Sequence, residues 1–168
     1  VEKLKHLEPV FDSGIKAKFE KAVNDYLVPL LPSWNATMPK SVELQCGYGY
    51  GSGYWRPDDD HAIMLFRVSR YPENPEYIFN IMFHEFVHML IETPIIRKYH
   101  VPQNLKERIV DMICYEYIKK PVQPMFEKSF ANAYITPETI KTDLPGAVAK
   151  MMTDYMLLQQ KQNSAIQK

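Results

Sequence analysis

Apolar positions recur along this chain with two periods, and the change of period marks out its elements. In residues 13–28, "SGIKAKFEKAVNDYLV", Ile15, Phe19, Val23, Tyr26 and Leu27 fall three or four apart with charged residues between them. That spacing predicts an amphipathic helix behind a Ser13 cap. Residues 41–46 and 61–68 then read as short strands, joined by the glycine- and tyrosine-rich "GYGYGSGYWRPDDD". An antiparallel hairpin or ribbon is expected there. Asn74-Pro75-Glu76 supplies a cap, a proline at the first helical position and an acid in the first turn, which announces a helix to about Glu92, where Thr93-Pro94 stops it. A further helix is expected from near Asn104 to about Lys120, and a last amphipathic one from Pro145, "PGAVAKMMTDYMLLQQ". Met151, Met152, Tyr155 and Met156 of that last helix are expected in the core, where flexible thioethers fill gaps. The pattern as a whole predicts an α+β, mainly helical fold with a small antiparallel sheet.

Length and composition narrow the picture. At 168 residues the chain has enough material for one core, so residues 1–168 read as a single domain. Lys plus Arg balances Asp plus Glu, and no basic run interleaves with aromatics, which removes nucleic acid as a partner. Hydrophobic residues make up 46% of the chain, but charge breaks every apolar run well short of the roughly 20 residues a membrane span needs. The sequence starts at Val1 rather than Met and shows no signal segment, so export and retention both stay open. Cys46 and Cys114 are too few for a disulfide scaffold and read as plain thiols, and the Asn35-Ala36-Thr37 sequon says little by itself. The glycine-rich stretch reads as a long hairpin connection ahead of a mobile flap, and Asp58, Asp59 and Asp60 as a solvated turn ahead of a calcium site.

Chemistry enters at residues 81–90, "IMFHEFVHML". His84 and His88 are four apart and share one helix face, with Glu85 about 100° round. Ile78, Ile81, Met82, Phe86, Val87, Leu90 and Ile91 cover nearly every direction around them, so this helix is expected to be buried all round, polar residues included. A buried carboxylate needs a partner, and a metal ion with its water would be one. His-Glu-x-x-His is the zinc pattern in which two imidazoles bind Zn²⁺ and the glutamate is general base toward the bound water. Shuffling this composition would produce it on the order of once in a hundred trials, so context has to decide.

The context is "NLKERIVDMICYEYIKK". Glu107 and Asp111 are again four apart and share their face with Val110, Cys114 and Ile118, while Lys106, Arg108, Glu116 and Lys119 lie elsewhere. Two acids on a largely apolar stripe suggest two helix faces meeting around a cation. The plainer alternative for Asp111 is an ion pair with Lys106 or Arg108.

"HEFVH" followed nineteen residues after His88 by "ERIVD" resembles the gluzincin metallopeptidases, the thermolysin-like group. The resemblance covers residues 61–118 at most. It implies that His84, His88 and Glu107 are zinc ligands, that Glu85 is the base, and that Asp111 accepts a hydrogen bond from His84. It further implies a helix carrying HExxH packed against a second carrying ExxxD, and a strand, "HAIMLFRV", placed to pair with extended substrate. The oxyanion donor implied between the second histidine and the glutamate ligand falls on Tyr99 or His100. Other zinc families fit less well: the metzincin glycine and histidine positions hold Ile91 and Pro94, the upstream aminopeptidase segment is missing, and Cys46 lacks the deformylase surroundings. A ferritin-like di-iron centre would need a second Glu-x-x-His. The expected activity is zinc-dependent hydrolysis of a peptide or protein substrate, and the alternative is an inactive zinc-fold module that binds or builds.

Overall fold

The computed structural model describes residues 14–48, 61–68, 74–120 and 128–166. The expected Ser13 cap, most of the glycine-rich connection and the Asp58–Asp60 run lie outside them. The chain divides into two compact units, residues 1–31 with 37–90 and residues 32–36 with 91–168.

In the first unit, α1 (Lys16–Ala22) follows Gly14, whose φ of +84° suits a residue without Cβ. It widens into a π turn at Val23–Leu27 and a 3₁₀ turn at Val28–Leu30. Pro29 explains the change, because it has no N–H for the ladder and crowds the carbonyl four residues back. Ile15, Phe19, Val23 and Leu27 are buried as their spacing predicts, while Tyr26 is exposed. The strands β1 (Ser41–Tyr48) and β2 (His61–Val68) form where expected, but they pair in parallel, from Ser41 opposite His61 to Tyr48 opposite Val68. The expected antiparallel ribbon is therefore wrong. Two residues can close an antiparallel pair, whereas a parallel pair must return the chain to the starting end of the strand, which takes a dozen residues or more. Residues 49–60 provide that length, since their contour of about 40 Å exceeds the roughly 26 Å of an eight-residue strand.

The long helix α3 (Pro75–Ile91) begins as the sequence indicates: Asn74 Oδ1 accepts from the Glu76 N–H at 2.9 Å and Pro75 takes the first position. Phe86 meets Phe19 of α1 edge to face, with ring centroids 5.3 Å apart. Lys18 of α1 stands over the Phe79 ring at 4.3 Å and pairs with Glu76, tying the two helices at a second level.

The second unit is built from α2 (Leu31–Trp34), a π turn at Glu92–Arg97, α4 (Gln103–Ile118), a 3₁₀ turn at Phe130–Ala133, α5 (Pro137–Thr142) and α6 (Leu144–Ile166). Thr93-Pro94 does not stop the chain, which instead passes the proline as a widened turn. The fully buried Trp34 donates its indole N–H to the Ile140 carbonyl at 2.7 Å, pinning α2 to α5. A capping box of Thr136 and Thr139 opens α5. Met151 and Met152 are core residues, as expected of α6, but Met156 is exposed together with Leu157 and Leu158. Mainly helical with one small parallel sheet is thus the observed architecture. Among the described residues no helix is long and apolar enough to cross a membrane.

Candidate metal centre

The burial pattern of α3 is the first fact about the site. From Ile78 to Ile91 almost every residue is buried, and His84 and Glu85 are among them, each 9% exposed; His88 is half-buried. The four-residue spacing stacks the two imidazoles one turn apart, edge to face, with centroids 4.7 Å apart and planes at 78°. Their Nε2 atoms approach to 3.1 Å. Two lone pairs facing at that distance repel unless a proton or a cation stands between them. Two nitrogens on one tetrahedral zinc, each at about 2.05 Å, lie about 3.3 Å apart, so the spacing suits that ion.

The second element is α4, which starts at Gln103 and ends at Lys119, a residue with φ of 56° whose N–H bonds back to Tyr115. Glu107 is half-buried and accepts from Gln103 Nε2 at 2.5 Å, one turn earlier. Asp111 is 1% exposed, and its Oδ1 lies 3.1 Å from Lys120 Nζ. The left-handed turn at Lys119 is what brings Lys120 back along the helix. Lys120 is therefore a cation paired with Asp111, a partner that wheel positions within the helix do not supply.

His84, His88 and Glu107 each offer one ligand atom, and these atoms all lie within 4.8 Å of one another, a group able to hold a metal ion. Two imidazoles and a carboxylate form a donor set typical of zinc with an open fourth position. Glu92, the competing acid four residues beyond His88, is already engaged: it accepts from Arg97 Nε at 3.2 Å and faces Lys106 Nζ at 3.5 Å. Tyr99, half-buried in the turn after Arg97, carries the Lys98 ammonium 5.1 Å above its ring, and exposed His100 holds a positive φ of 53°.

Sequence reasoning placed Arg108 away from the apolar stripe, yet it is buried at 7% exposure and donates from Nε to Asn132 Oδ1 at 2.6 Å. Burial pushes its guanidinium below the ordinary arginine range, against the opposing pull of Asp111. Cys114 is a buried thiol outside any disulfide, as expected. No protein family model, no curated protein and no solved structure matches this chain.

Proposed function

We propose that this protein is a zinc-dependent peptidase of gluzincin type, with His84, His88 and Glu107 as ligands and Glu85 as general base. The observation that carries the reading is the convergence of three ligand atoms of the right kinds within 4.8 Å of one another. The HEFVH and ERIVD motifs, in gluzincin order and spacing, support it. So does the buried setting of Glu85, a carboxylate that α3 holds one residue from a ligand and largely away from solvent. Zinc there would polarise a scissile carbonyl and lower the pKa of water to about 7. The Glu85 carboxylate would take the proton of the attacking water and pass it to the leaving amine. Asp111, one turn beyond Glu107, would accept the outer N–H of His84 and fix its tautomer, provided the faces of α3 and α4 meet as the resemblance implies. Tyr99 is assigned to the oxyanion on the resemblance alone.

The test combines metal analysis of the purified full chain with turnover of an unstructured peptide library. The expected outcome is one zinc per chain, with Glu85→Gln keeping the metal and losing nearly all turnover. Zinc in both proteins with turnover in neither would assign a binding module instead. A chain that holds no zinc and gains no heat stability when zinc is added overturns the reading, because a ligand bound only by the folded state must stabilise it.

A further inference from the structure

We propose a second, metal-independent site on the exposed face of the β1–β2 ribbon, where Ser41, His61 and Glu43 form a nucleophile, base and acid chain and hydrolyse carboxylic esters. The parallel register sets His61 directly opposite Ser41, and side chains two apart on a strand share a face, so Glu43 stands on the same side. Ser41 Oγ lies 2.8 Å from His61 Nδ1, and His61 Nε2 lies 3.4 Å from Glu43 Oε2. Glu43 is positioned in turn by Gln45, whose Nε2 donates to Oε1 at 2.8 Å. That bond first, and the one to His61 second, hold the Glu43 carboxyl below the usual carboxylate range. An anionic Glu43 facing Nε2 favours the tautomer with its proton there, which leaves Nδ1 to accept from the serine hydroxyl. Nucleophile bonded to base and base bonded to acid is the relation that activates a serine, whatever the fold. The longer His61–Glu43 contact is of the kind that tightens when substrate is bound.

The surroundings bear on the kind of ester. Ser41 borders a groove of about 540 Å³, but Val42 and Leu44 in its wall lie on the opposite face of β1 from Ser41 and Glu43, so the ester is met at the exposed face, where Ser41, Glu43 and His61 stand. That open setting suits small esters with a good leaving alcohol. In the reaction, Ser41 Oγ adds to the ester carbonyl carbon while its proton passes to His61 Nδ1. The C–O bond to the alcohol breaks, and the alcohol leaves with that proton, giving an acyl-serine. Water then attacks the acyl carbon, loses a proton to Nδ1, and the carboxylic acid departs as Ser41 Oγ recovers the proton.

The test uses the full chain in EDTA, which silences zinc chemistry and separates this site from the one proposed above. A fluorophosphonate probe should leave one adduct, mapped to Ser41 by peptide mass spectrometry, and p-nitrophenyl hexanoate should be turned over. Ser41→Ala should lose both, and His61→Gln should label about 100-fold more slowly, the usual contribution of a general base. His61 and Glu43 side chains are about half exposed, so these variants should keep the wild-type circular dichroism. No adduct at Ser41, or an adduct formed at the same rate in His61→Gln or in urea, overturns the proposal.

Discussion

Lys120→Met should destabilise the protein by about 2 kcal/mol, and the figure follows from where the charge it abandons is held. The Asp111 side chain is 0% exposed and that of Lys120 18%, with oxygen and nitrogen 3.1 Å apart. Breaking a buried pair by removing one partner costs about 3–5 kcal/mol, because the remaining ion is left in a poor solvent. Two features reduce that here. Lys120 keeps some contact with water, and Asp111 still feels the Arg108 guanidinium one turn earlier. Methionine preserves the packing of the lysine stem, so the loss is of charge rather than of contact. Equilibrium urea unfolding of Lys120→Met, Asp111→Asn and the double variant, all in EDTA, measures the pair as a coupling energy. At least about 1 kcal/mol of coupling is expected, surviving 0.5 M salt because the pair is poorly reached by counterions. A loss below about 0.5 kcal/mol, with additive single effects, would refute the reasoning and make the contact an ordinary surface pair.

Three other outcomes are expected. Glu107→Ala should weaken zinc binding sharply in a chelator competition, whereas Glu92→Ala should leave it unchanged, since Glu92 is committed to Arg97 and Lys106; equal losses would return Glu92 to the ligand set. Asp111→Asn should lower zinc affinity by roughly 10- to 100-fold, the usual cost of losing a partner that orients a ligand, and identical titrations would detach Asp111 from the metal. Trp34→Phe should cost about 2 kcal/mol in urea unfolding, because it leaves the buried Ile140 carbonyl without its indole donor; an unchanged midpoint would show that the bond contributes nothing net.

The helices were legible because each is written in local terms. Asn74, Pro75 and Glu76 declare the start of α3 within three residues, and the stripe of Ile15, Phe19, Val23 and Leu27 needs nothing beyond its own spacing. A proline is a weaker stop than its local rule implies. Thr93-Pro94 reads as a helix stop, but a chain packed on both sides of a proline can widen for a turn and go on as helix, as it does at Glu92–Arg97. Strand direction was not legible at all, since alternation is the same in either sense and only the length of the connection separates the two. Met156 shows a similar limit: the period places it with Met151 and Met152, while burial depends on how far the neighbouring elements extend along α6.

The candidate metal residues stood out in the sequence because they break a local rule. His84 and Glu85 interrupt a helix that is otherwise apolar all round, and Asp111 sits on the apolar stripe of α4; burying such groups is costly, so each implies a partner. What the sequence could not name was the partner. Lys120 reaches Asp111 only because Lys119 takes a left-handed turn, and His61 reaches Ser41 and Glu43 only because β1 and β2 run the same way. Both depend on a backbone choice that no side-chain period encodes. Residues that violate a pattern can therefore be found from one sequence, while residues that answer the violation require the path of the chain between them. The exposed Ser41, Glu43 and His61 violate nothing, which is why a site made of them is visible only once the parallel register is known.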